Sequence, residues 1–297
     1  MAKIILMVGL PASGKSTYTQ KLAKEYNATI LSSDKLREEL YGDTKDQEHN
    51  DEVFAELHRR VKDLLSQGIN VIYDACNISY KKRKSFLEGL KSFNCEKICY
   101  LVATPYEKCL EQNKLRERQV PDYVIKRMYL NFYIPQYYEG WQKINIINNF
   151  NKEDFNLNTL FYGENGLDNI SQHNPHHTKT IGQHCLECAY NIDAITIELF
   201  QAALLHDIGK RFTKEFKNAK GETTDIAHYF QHHLVSAYDS LFYEIDCDRI
   251  SRAGYILWHM QPFFIETEKA KNKFINLVGQ AFYDEIMLLH QADLEAH

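Results

Sequence analysis

The sequence has no apolar stretch that approaches the roughly 20 residues of a membrane-spanning helix. The apolar run at residues 4–8 is too short for a signal peptide and leads directly into a glycine-rich loop. Seven scattered cysteines, an odd number, argue against a disulfide framework and for a reducing compartment. We find no internal repeat and no low-complexity tract. These absences predict a globular protein of the cytoplasm with no membrane association.

Histidine is scarce in the first half of the chain, because eleven of the thirteen histidines lie after residue 172. The charges are also uneven. Residues 1–152 carry 24 Lys/Arg and 19 Asp/Glu, a net of +5, whereas residues 153–297 carry 11 and 21, a net of −10. A basic first half suits a polyanionic substrate, and an acidic, histidine-rich second half suits divalent cations. At 297 residues the chain is long enough for two domains with separate cores.

Strand and helix signals alternate along the first half, which predicts βαβ units and a parallel sheet. The glycine-rich loop opens a helix at Lys15–Tyr26, and a charged helical pattern covers residues 51–66. The predicted strands are residues 3–8, 29–31, 70–73, 97–102 and 143–147. We therefore expect an α/β domain of the P-loop kinase class at residues 1–150.

Residues 151–170 are rich in Asn, Asp and Gly and show weak periodicity, so we expect an interdomain linker there. Beyond it the strand signals vanish. Apolar residues at helical spacing predict helices within residues 181–206, 227–243, 249–260 and 271–290. The sequence thus predicts an all-α domain at residues 171–297.

The loop at residues 9–16, GLPASGKS, fits GxxxxGK[ST] at every fixed position and lies between a predicted strand and a predicted helix. Small residues let backbone N–H groups wrap the phosphates, Lys15 reaches the β- and γ-phosphates, and the hydroxyl of Ser16 is a ligand for Mg²⁺. The predicted nucleotide-binding residues are Gly9, Ser13, Gly14, Lys15, Ser16 and Thr17. The motif indicates ATP or GTP with Mg²⁺ but leaves the phosphate acceptor open.

Candidate acceptor groups follow the next two strands, where parallel sheets place their ligands. Asp34 can accept the proton of an attacking hydroxyl, and Arg37, one turn later, can hold a phosphate or the Asp34 carboxylate itself. Asp74 ends the third strand, with Asn77 three residues on. Capping and surface pairing are the alternatives for these residues.

An arginine-dense segment, residues 113–121, precedes a helical pattern at residues 123–129. Arginines on a mobile lid can stabilise the charge of a transferring phosphoryl group, which makes Arg116 and Arg118 catalytic candidates. The alternative is that these two arginines are ordinary surface residues in contact with solvent.

Over residues 3–147, the order GxxxxGKST, SxDxxR, a strand ending in DxxN, and NxxRxRxVPxxVIxxM resembles the kinase domain of phage polynucleotide kinase and of bacterial RNA end-healing enzymes. The resemblance implies that Asp34 is the general base for a 5′-hydroxyl and that Arg37 contacts the acceptor's phosphate. It also implies that Arg116 and Arg118 clamp the donor phosphates. Asp74 and Asn77 match residues near the acceptor.

The second half contains a possible metal cluster. His206 and Asp207 are adjacent at the end of an apolar helical pattern, and imidazole and carboxylate ligands suit Mn, Ni, Co, Fe or Zn. Lys210 follows as a candidate cation. The predicted metal ligands are His184, His206, Asp207, His232, His259 and Asp293, and His233 is a further candidate.

The order H…HD…D over residues 172–297 resembles the HD superfamily of metal-dependent phosphohydrolases, and His232 and His259 resemble its two-metal subset. Residues 174–184 resemble the entry to such domains in some tRNA nucleotidyltransferases, where His177 would contact a phosphate or a metal. Bacterial enzymes join such a kinase to an HD module in the opposite domain order.

The sequence therefore predicts a bifunctional end-healing enzyme. It would phosphorylate 5′-hydroxyl ends of RNA or DNA and hydrolyse 2′,3′-cyclic or terminal phosphates, preparing ends for an RNA ligase. Two alternatives stay open, a small-molecule or nucleoside kinase fused to a nucleotide phosphohydrolase, and a nucleotide-sensing regulatory protein. The sequence leaves open the oligomeric state and the roles of His176, His177, His228 and His233.

Overall fold

The computed structural model describes residues 1–175, 178–243 and 247–297. It divides into two compact units, Met1–Met128 with Pro135–Phe150, and Tyr129–Ile134 with Asn151–His297. His176 and His177 lie outside the described residues.

A five-stranded sheet forms the centre of the first unit. Its strands are β1 (Ala2–Val8), β2 (Ala28–Ser32), β3 (Asn70–Asp74), β4 (Cys95–Ala103) and β5 (Lys143–Asn148). They lie in the order β2-β3-β1-β4-β5, and every pairing is parallel. β1 is buried on both faces, as an apolar run in the middle of a parallel sheet requires. The predicted parallel α/β architecture is confirmed.

Helices flank this sheet. They are α1 (Lys15–Tyr26), α2 (Ser33–Tyr41), α3 (Asn50–Ser66), α4 (Tyr80–Glu88), α5 (Tyr106–Lys114) and α6 (Asp122–Leu130). The first helix begins after Gly14 and ends before Asn27, and both flanking residues have left-handed backbone angles. Glycine and asparagine tolerate that conformation better than other residues, so the sequence fixes both ends of α1.

A buried ion pair joins α4 to the segment before β5. The Arg83 guanidinium donates to both carboxylate oxygens of Glu139, at 2.8 and 2.6 Å, and also to the carbonyl of Asn77. Glu139 accepts further bonds from Trp141 Nε1 and the Gln136 amide. Because both charges are removed from water, each needs the other to stay satisfied.

The second unit consists mostly of helices. They are α7 (Leu157–Tyr162), α8 (Ile181–Asn191), α9 (Ile197–Leu205), α10 (Lys210–Thr213), α11 (His232–Ser240), α12 (Arg249–Trp258), α13 (Glu268–Val278) and α14 (Gln280–Glu295). Two predicted helical segments are each broken in two. Residues 192–196 separate α8 from α9, and Gly279, with a φ of 91°, separates α13 from α14.

The second unit also contains a β-hairpin, which departs from the all-α expectation. Strands β6 (Glu215–Lys217) and β7 (Thr223–His228) pair antiparallel. The apolar spacing from residue 227 onward suggested a helix, but that helix begins only at His232. Most side chains of this hairpin are exposed, so its sequence lacks the buried alternation that marks a strand.

Residues 151–170, expected to be a linker, form short helical segments instead. The helix α7 and the 3₁₀ turn Leu167–Asn169 bury Leu160, Phe161 and Leu167. This segment is part of the second unit's packing. Over the described ranges, we find no helix long and apolar enough to cross a membrane.

Replacing Arg83 by Met should destabilise the first unit by about 3–5 kcal/mol, because the Glu139 carboxylate would remain buried without its cation. The measurement is urea unfolding followed by Trp141 fluorescence in a Trp258→Phe background. The matched control is Arg59→Met, since Arg59 pairs with Glu56 and Asp63 on an exposed helix face. Equal unfolding midpoints for both variants would contradict a stabilising role for the buried pair.

Candidate functional site

The phosphate loop connects β1 to α1. A Cβ on Gly9 would lie 2.8 Å from Ser13 Oγ and 3.2 Å from the Val102 carbonyl oxygen, and Gly14 has a φ of 86°, so both positions favour glycine. The Gly9 amide donates to the carbonyl of Cys76, which ties the loop to the chain after β3. Ser16 and Thr17 are exposed at the start of α1, where hydroxyls can meet a bound nucleotide and its cation.

Two polar residues outside the motif hold this loop. Thr104 Oγ1 and the Asn149 side-chain amide both donate to the Ser13 carbonyl, at 2.9 and 3.1 Å. They follow β4 and β5, respectively. The motif alone did not reveal them, although polar residues at the carboxyl ends of parallel strands were the available signal.

Lys15 is buried and folds back over the loop, donating to the carbonyls of Gly9 (3.0 Å) and Leu10 (2.6 Å). A phosphate oxygen would replace carbonyl oxygens as the partner of this ammonium group. Burial keeps the cation poorly solvated, so its attraction for an anion is stronger than that of a surface lysine.

Asp34 lies in the first turn of α2 and is held by two arginines. Arg37 Nη1 is 2.8 Å from Asp34 Oδ1, and Arg118 Nη1 is 3.2 Å from Asp34 Oδ2. Arg37 is itself buried and also donates to Asn50, while its Nε has no partner among the described residues. The structure therefore brings the candidate base and two candidate phosphate-binding cations together.

Asp74 and Asn77 follow the adjacent strand. Burial raises the pKa of Asp74, the Asp34 charge raises it further, and the Lys15 charge partly offsets both effects. Asp74 therefore lies within electrostatic reach of the candidate base and the loop lysine. The Asn77 amide donates to the Met7 carbonyl at 2.8 Å, which gives this residue a structural role at the end of β1.

Asn113 closes the arginine-bearing loop. Its side-chain amide donates to the Val120 carbonyl, and its oxygen accepts from the Val120 N–H. These two hydrogen bonds hold the loop that carries Arg116 and Arg118. Arg116 is exposed, and Arg118 forms an ion pair with Asp34.

The candidate groups share one cleft of about 1790 Å³, lined by Lys15, Ser16, Asp34, Arg37, Asp74, Asn77, Arg116 and Arg118. Ten of its lining residues are Lys or Arg and three are Asp. Pockets for one small molecule usually span about 300–1,000 Å³, so this cleft has room for a donor nucleotide and a second ligand. The excess of cations in the cleft favours a donor nucleotide and a second ligand that each carry negative charge.

The second unit brings together all six predicted metal ligands. His184 Nε2 lies 3.0 Å from Asp293 Oδ1 and 3.3 Å from Asp207 Oδ2. His232 Nε2 lies 3.3 Å from Asp207 Oδ1. The ligand atoms form two groups that share Asp207, namely His184, His206 and Asp207, and Asp207, His232 and His259.

In each group, two imidazoles face each other through their Nε2 atoms. His184 and His206 have their Nε2 atoms 3.2 Å apart, and so do His232 and His259. Each of these rings has Nδ1 beside a backbone carbonyl, so Nδ1 carries a proton and donates it, and the Nε2 lone pair can bind a metal. This is the orientation of metal-ligating histidines.

Electrostatics support a cation in both groups. Burial lowers the pKa of His232 and His259, so two neutral rings point lone pairs at each other, an unfavourable contact without a positive charge between them. For His206, burial opposes protonation, but the Asp207 carboxylate outweighs it and raises the pKa well above its usual value. Ligands about 2.1 Å from one ion lie roughly 3–3.5 Å apart, which matches these spacings.

Lys210 contacts the cluster directly. Its Nζ lies 2.6 Å from Asp207 Oδ2 and donates to Gln172 Oε1 at 2.9 Å. Burial opposes ionisation of Asp207, but Lys210 and His206 hold the pKa of that carboxyl well below its usual range. His233 and His228 lie outside both groups of ligand atoms. Burial lowers the pKa of His233 to about 3, so it is neutral at physiological pH.

Residues 4–135 match the family described as AAA domain. The L-seryl-tRNA(Sec) kinase of Methanococcus maripaludis is 24% identical over 243 residues, which covers 75% of this chain and 93% of that relative.

Solved structures that match part of the chain include one chain of the Pnkp1/Rnl/Hen1 RNA repair complex. It is 23% identical, and the match covers 43% of this chain and 42% of that one, with a TM-score of 0.38. A gluconokinase from Sinorhizobium meliloti 1021 is 15% identical, covering 49% of this chain and 82% of that one, with a TM-score of 0.37.

The five-stranded parallel sheet, the phosphate loop and the match over residues 4–135 fit a P-loop kinase fold, and the kinase relative supports an enzyme that acts as a kinase. Such a fold implies ATP with Mg²⁺, for which Lys15 and Ser16 are suitably placed.

If the histidine–aspartate cluster holds a metal, purified protein exposed to Mn²⁺, Co²⁺, Ni²⁺ or Zn²⁺ should retain one of them after dialysis. His206→Ala removes a ligand and should weaken retention by at least about 10-fold. Elemental analysis by mass spectrometry measures it. His49→Ala, on a surface of the first unit, is the control. The same metal content in all three proteins would argue that the cluster is structural.

Proposed function

We propose that the protein is a bifunctional nucleic-acid end-healing enzyme. The first unit would transfer the γ-phosphate of ATP or GTP to the 5′-hydroxyl of an RNA or DNA end. The second would be an HD-type, metal-dependent phosphohydrolase acting on 2′,3′-cyclic or terminal phosphates. Ends processed in this way are suitable for an RNA ligase, which would be the partner enzyme.

One observation supports the polynucleotide acceptor above the others. The candidate base Asp34, in contact with Arg37 and Arg118, shares the cleft of the phosphate loop. Apart from Arg83, which is neutralised by Glu139, nine Lys or Arg residues line this cleft together with three Asp. A donor nucleotide and its Mg²⁺ leave much of that positive charge unbalanced. An uncharged sugar or nucleoside acceptor would not compensate it, whereas a nucleic-acid end brings phosphates into the cleft.

In this proposal, the residues of the cleft have separate roles in phosphoryl transfer. Asp34 accepts the proton of the attacking hydroxyl, and Arg37 positions the acceptor. Lys15 and the lid residues Arg116 and Arg118 stabilise the negative charge on the transferring group. Ser16 would hold Mg²⁺, which neutralises charge on the donor phosphates when bound. Arg118 has to release Asp34 before it can reach the donor.

A second candidate acceptor is suggested by the relative. An L-seryl-tRNA(Sec) kinase, by its name, phosphorylates a serine carried on a tRNA, and its match exceeds the length of the first unit. The acceptor hydroxyl would then belong to an aminoacyl group, although the carrier would still be RNA. The cationic cleft accommodates either form.

In the second unit, the proposal depends on the two facing pairs of imidazoles around Asp207. His184, His206 and Asp293 would hold one divalent metal, His232 and His259 a second, and Asp207 both. A bound metal supplies Lewis acidity and lowers the pKa of water for attack on phosphorus. Lys210, which already contacts Asp207, would place a cation beside the attacked phosphate.

The first test supplies labelled ATP or GTP with four acceptors, a 5′-hydroxyl RNA, the matching DNA, seryl-tRNA and a free nucleoside. We expect label on the 5′ ends. Asp34→Asn should lower kcat by about 100-fold or more, because the general base is removed. Asp43→Asn, outside the cleft, should be unaffected. Label on the nucleoside alone would contradict the end-healing proposal, and label on seryl-tRNA alone would select the second candidate.

The second test supplies an RNA with a 2′,3′-cyclic phosphate, with Mn²⁺, Ni²⁺ or Co²⁺. Wild-type protein should open the ring or remove the phosphate, and His206→Ala or Asp207→Asn should abolish this while leaving kinase activity intact. The products are separated by electrophoresis. If native protein and both variants act alike, the phosphohydrolase assignment fails. Tight nucleotide binding without turnover in either assay would instead favour the regulatory alternative.

A further inference from the structure

An aromatic side chain, Phe54 of α3, lines the cleft beside the candidate base. It is half-buried, and Arg37 connects it to the reaction site. The same guanidinium that donates to Asp34 at 2.8 Å has its central carbon 5.8 Å from the centroid of the Phe54 ring. The Arg37 guanidinium therefore lies between the Phe54 ring and the Asp34 carboxylate, which is proposed to activate the acceptor hydroxyl.

Phe54 belongs to a cluster of rings that all line the cleft. His58 lies 6.5 Å from Phe54, 4.8 Å from Phe86 and 5.8 Å from Tyr73, measured between ring centroids. The Tyr73 hydroxyl is 3.2 Å from His58 Nε2. Burial, aided by the Lys62 charge, lowers the pKa of His58, so this ring is uncharged at neutral pH. Tyr73 and Phe86 are buried in this packed wall, whereas Phe54 is half-buried and can offer part of its ring to a ligand.

Two cations lie against this ring, and they differ in how they are held. Arg37 is buried and fixed by Asp34 and Asn50. Lys82 Nζ lies 5.6 Å from the Phe54 centroid, on an exposed side chain for which the described residues offer no hydrogen bond or ion pair. Lys82 can therefore leave the ring whenever an anion provides a better partner.

We propose that Phe54 stacks on the base of the 5′-terminal nucleotide and that Lys82 moves from the ring to the phosphate that follows it. This inference rests on the proposed kinase function and specifies its acceptor as an unpaired 5′ end of either nucleic acid. The substrate class is single-stranded, because a base stacked on Phe54 has left its own duplex.

The chemistry of the pocket favours this ligand. Phenylalanine offers neither a hydrogen-bond donor nor an acceptor. It can therefore stack on the flat face of a base but cannot hydrogen-bond to the edge of the base. Alternating aromatic and cationic groups are the usual means by which proteins hold single strands without sequence preference. A small sugar acceptor has no flat apolar face to cover Phe54 and no anion for Lys82.

The test compares two single-stranded 5′-hydroxyl acceptors that differ only at the terminal nucleotide, one normal and one abasic. With wild-type protein the abasic acceptor should have a KM about 10-fold higher or more. Phe54→Leu should raise the KM of the normal acceptor by a similar factor and leave that of the abasic acceptor unchanged, since the stacking partner is already missing. Phe54→Tyr keeps the ring and should resemble wild type.

Lys82→Gln tests the cation separately. It should reduce the slope of the logarithm of acceptor affinity against that of salt concentration by about 0.7, the effect of losing one phosphate contact on a single strand. Lys84→Gln, on the same helix but outside the cleft, should keep the wild-type slope.

Equal KM values for the normal and abasic acceptors with wild-type protein would overturn the proposal, and this comparison needs no variant to fold. An equal effect of Phe54→Leu on both acceptors would overturn it as well, since the effect would then be structural. A wild-type protein that phosphorylates no nucleic acid end would instead refute the proposed kinase function, and this inference with it.

Discussion

The pairing of β1 with β3 on one side and β4 on the other is the constraint on which the first unit's chemistry depends. Its register places Met7 opposite Asp74 and Val8 opposite Leu101. The phosphate loop consequently leaves the sheet beside the ends of both neighbours, where the Cys76 carbonyl and Thr104 can bond to it. A slip of one residue would turn the side chains of a strand to the opposite face and remove Asp74 from the influence of Lys15. Each reactive group belongs to a short segment that follows one strand. The segments come close together because of the register between the strands.

In the second unit, the comparable constraint is a buried pair of imidazoles, His232 and His259, that do not satisfy each other. Buried polar atoms are stable only with partners, and two neutral imidazoles facing through Nε2 offer each other none. Asp207 supplies negative charge to both groups, and Lys210 compensates only one of its oxygens. The arrangement is favourable when positive charge lies among the rings. This makes the cluster a metal-site candidate on physical grounds that do not depend on any resemblance.

How much could be read from the sequence differs between these two units. The strands β1–β5 and the helix α1 were predictable, because buried apolar runs and the glycine loop are strong local signals. The hairpin β6–β7 was missed since its exposed side chains carry no such pattern. At the sites, residue types indicated the ligands, but Thr104 and Asn149 came only from the structure, because their shared partner Ser13 lies far away in the sequence. Phe54 also came only from the structure, because an apolar residue on an amphipathic helix carries no sign that it lines a cleft. Asn77 was recognised as important, yet its amide is used by the Met7 carbonyl.

The uneven distribution of histidine has a physical reason in the way each site balances charge. Phosphates that arrive and leave with substrates are best met by permanent cations that can exchange partners. In the proposed kinase, Lys15 would exchange loop carbonyls for a phosphate, and Arg118 would exchange Asp34. A resident metal ion needs ligands that are neutral or anionic and fixed in orientation. Imidazoles anchored through Nδ1 to backbone carbonyls meet that need, and additional lysines or arginines there would oppose it. Lys210, held between Asp207 and Gln172, is consistent with this rule because it lies beside the cluster, where a substrate phosphate would meet it.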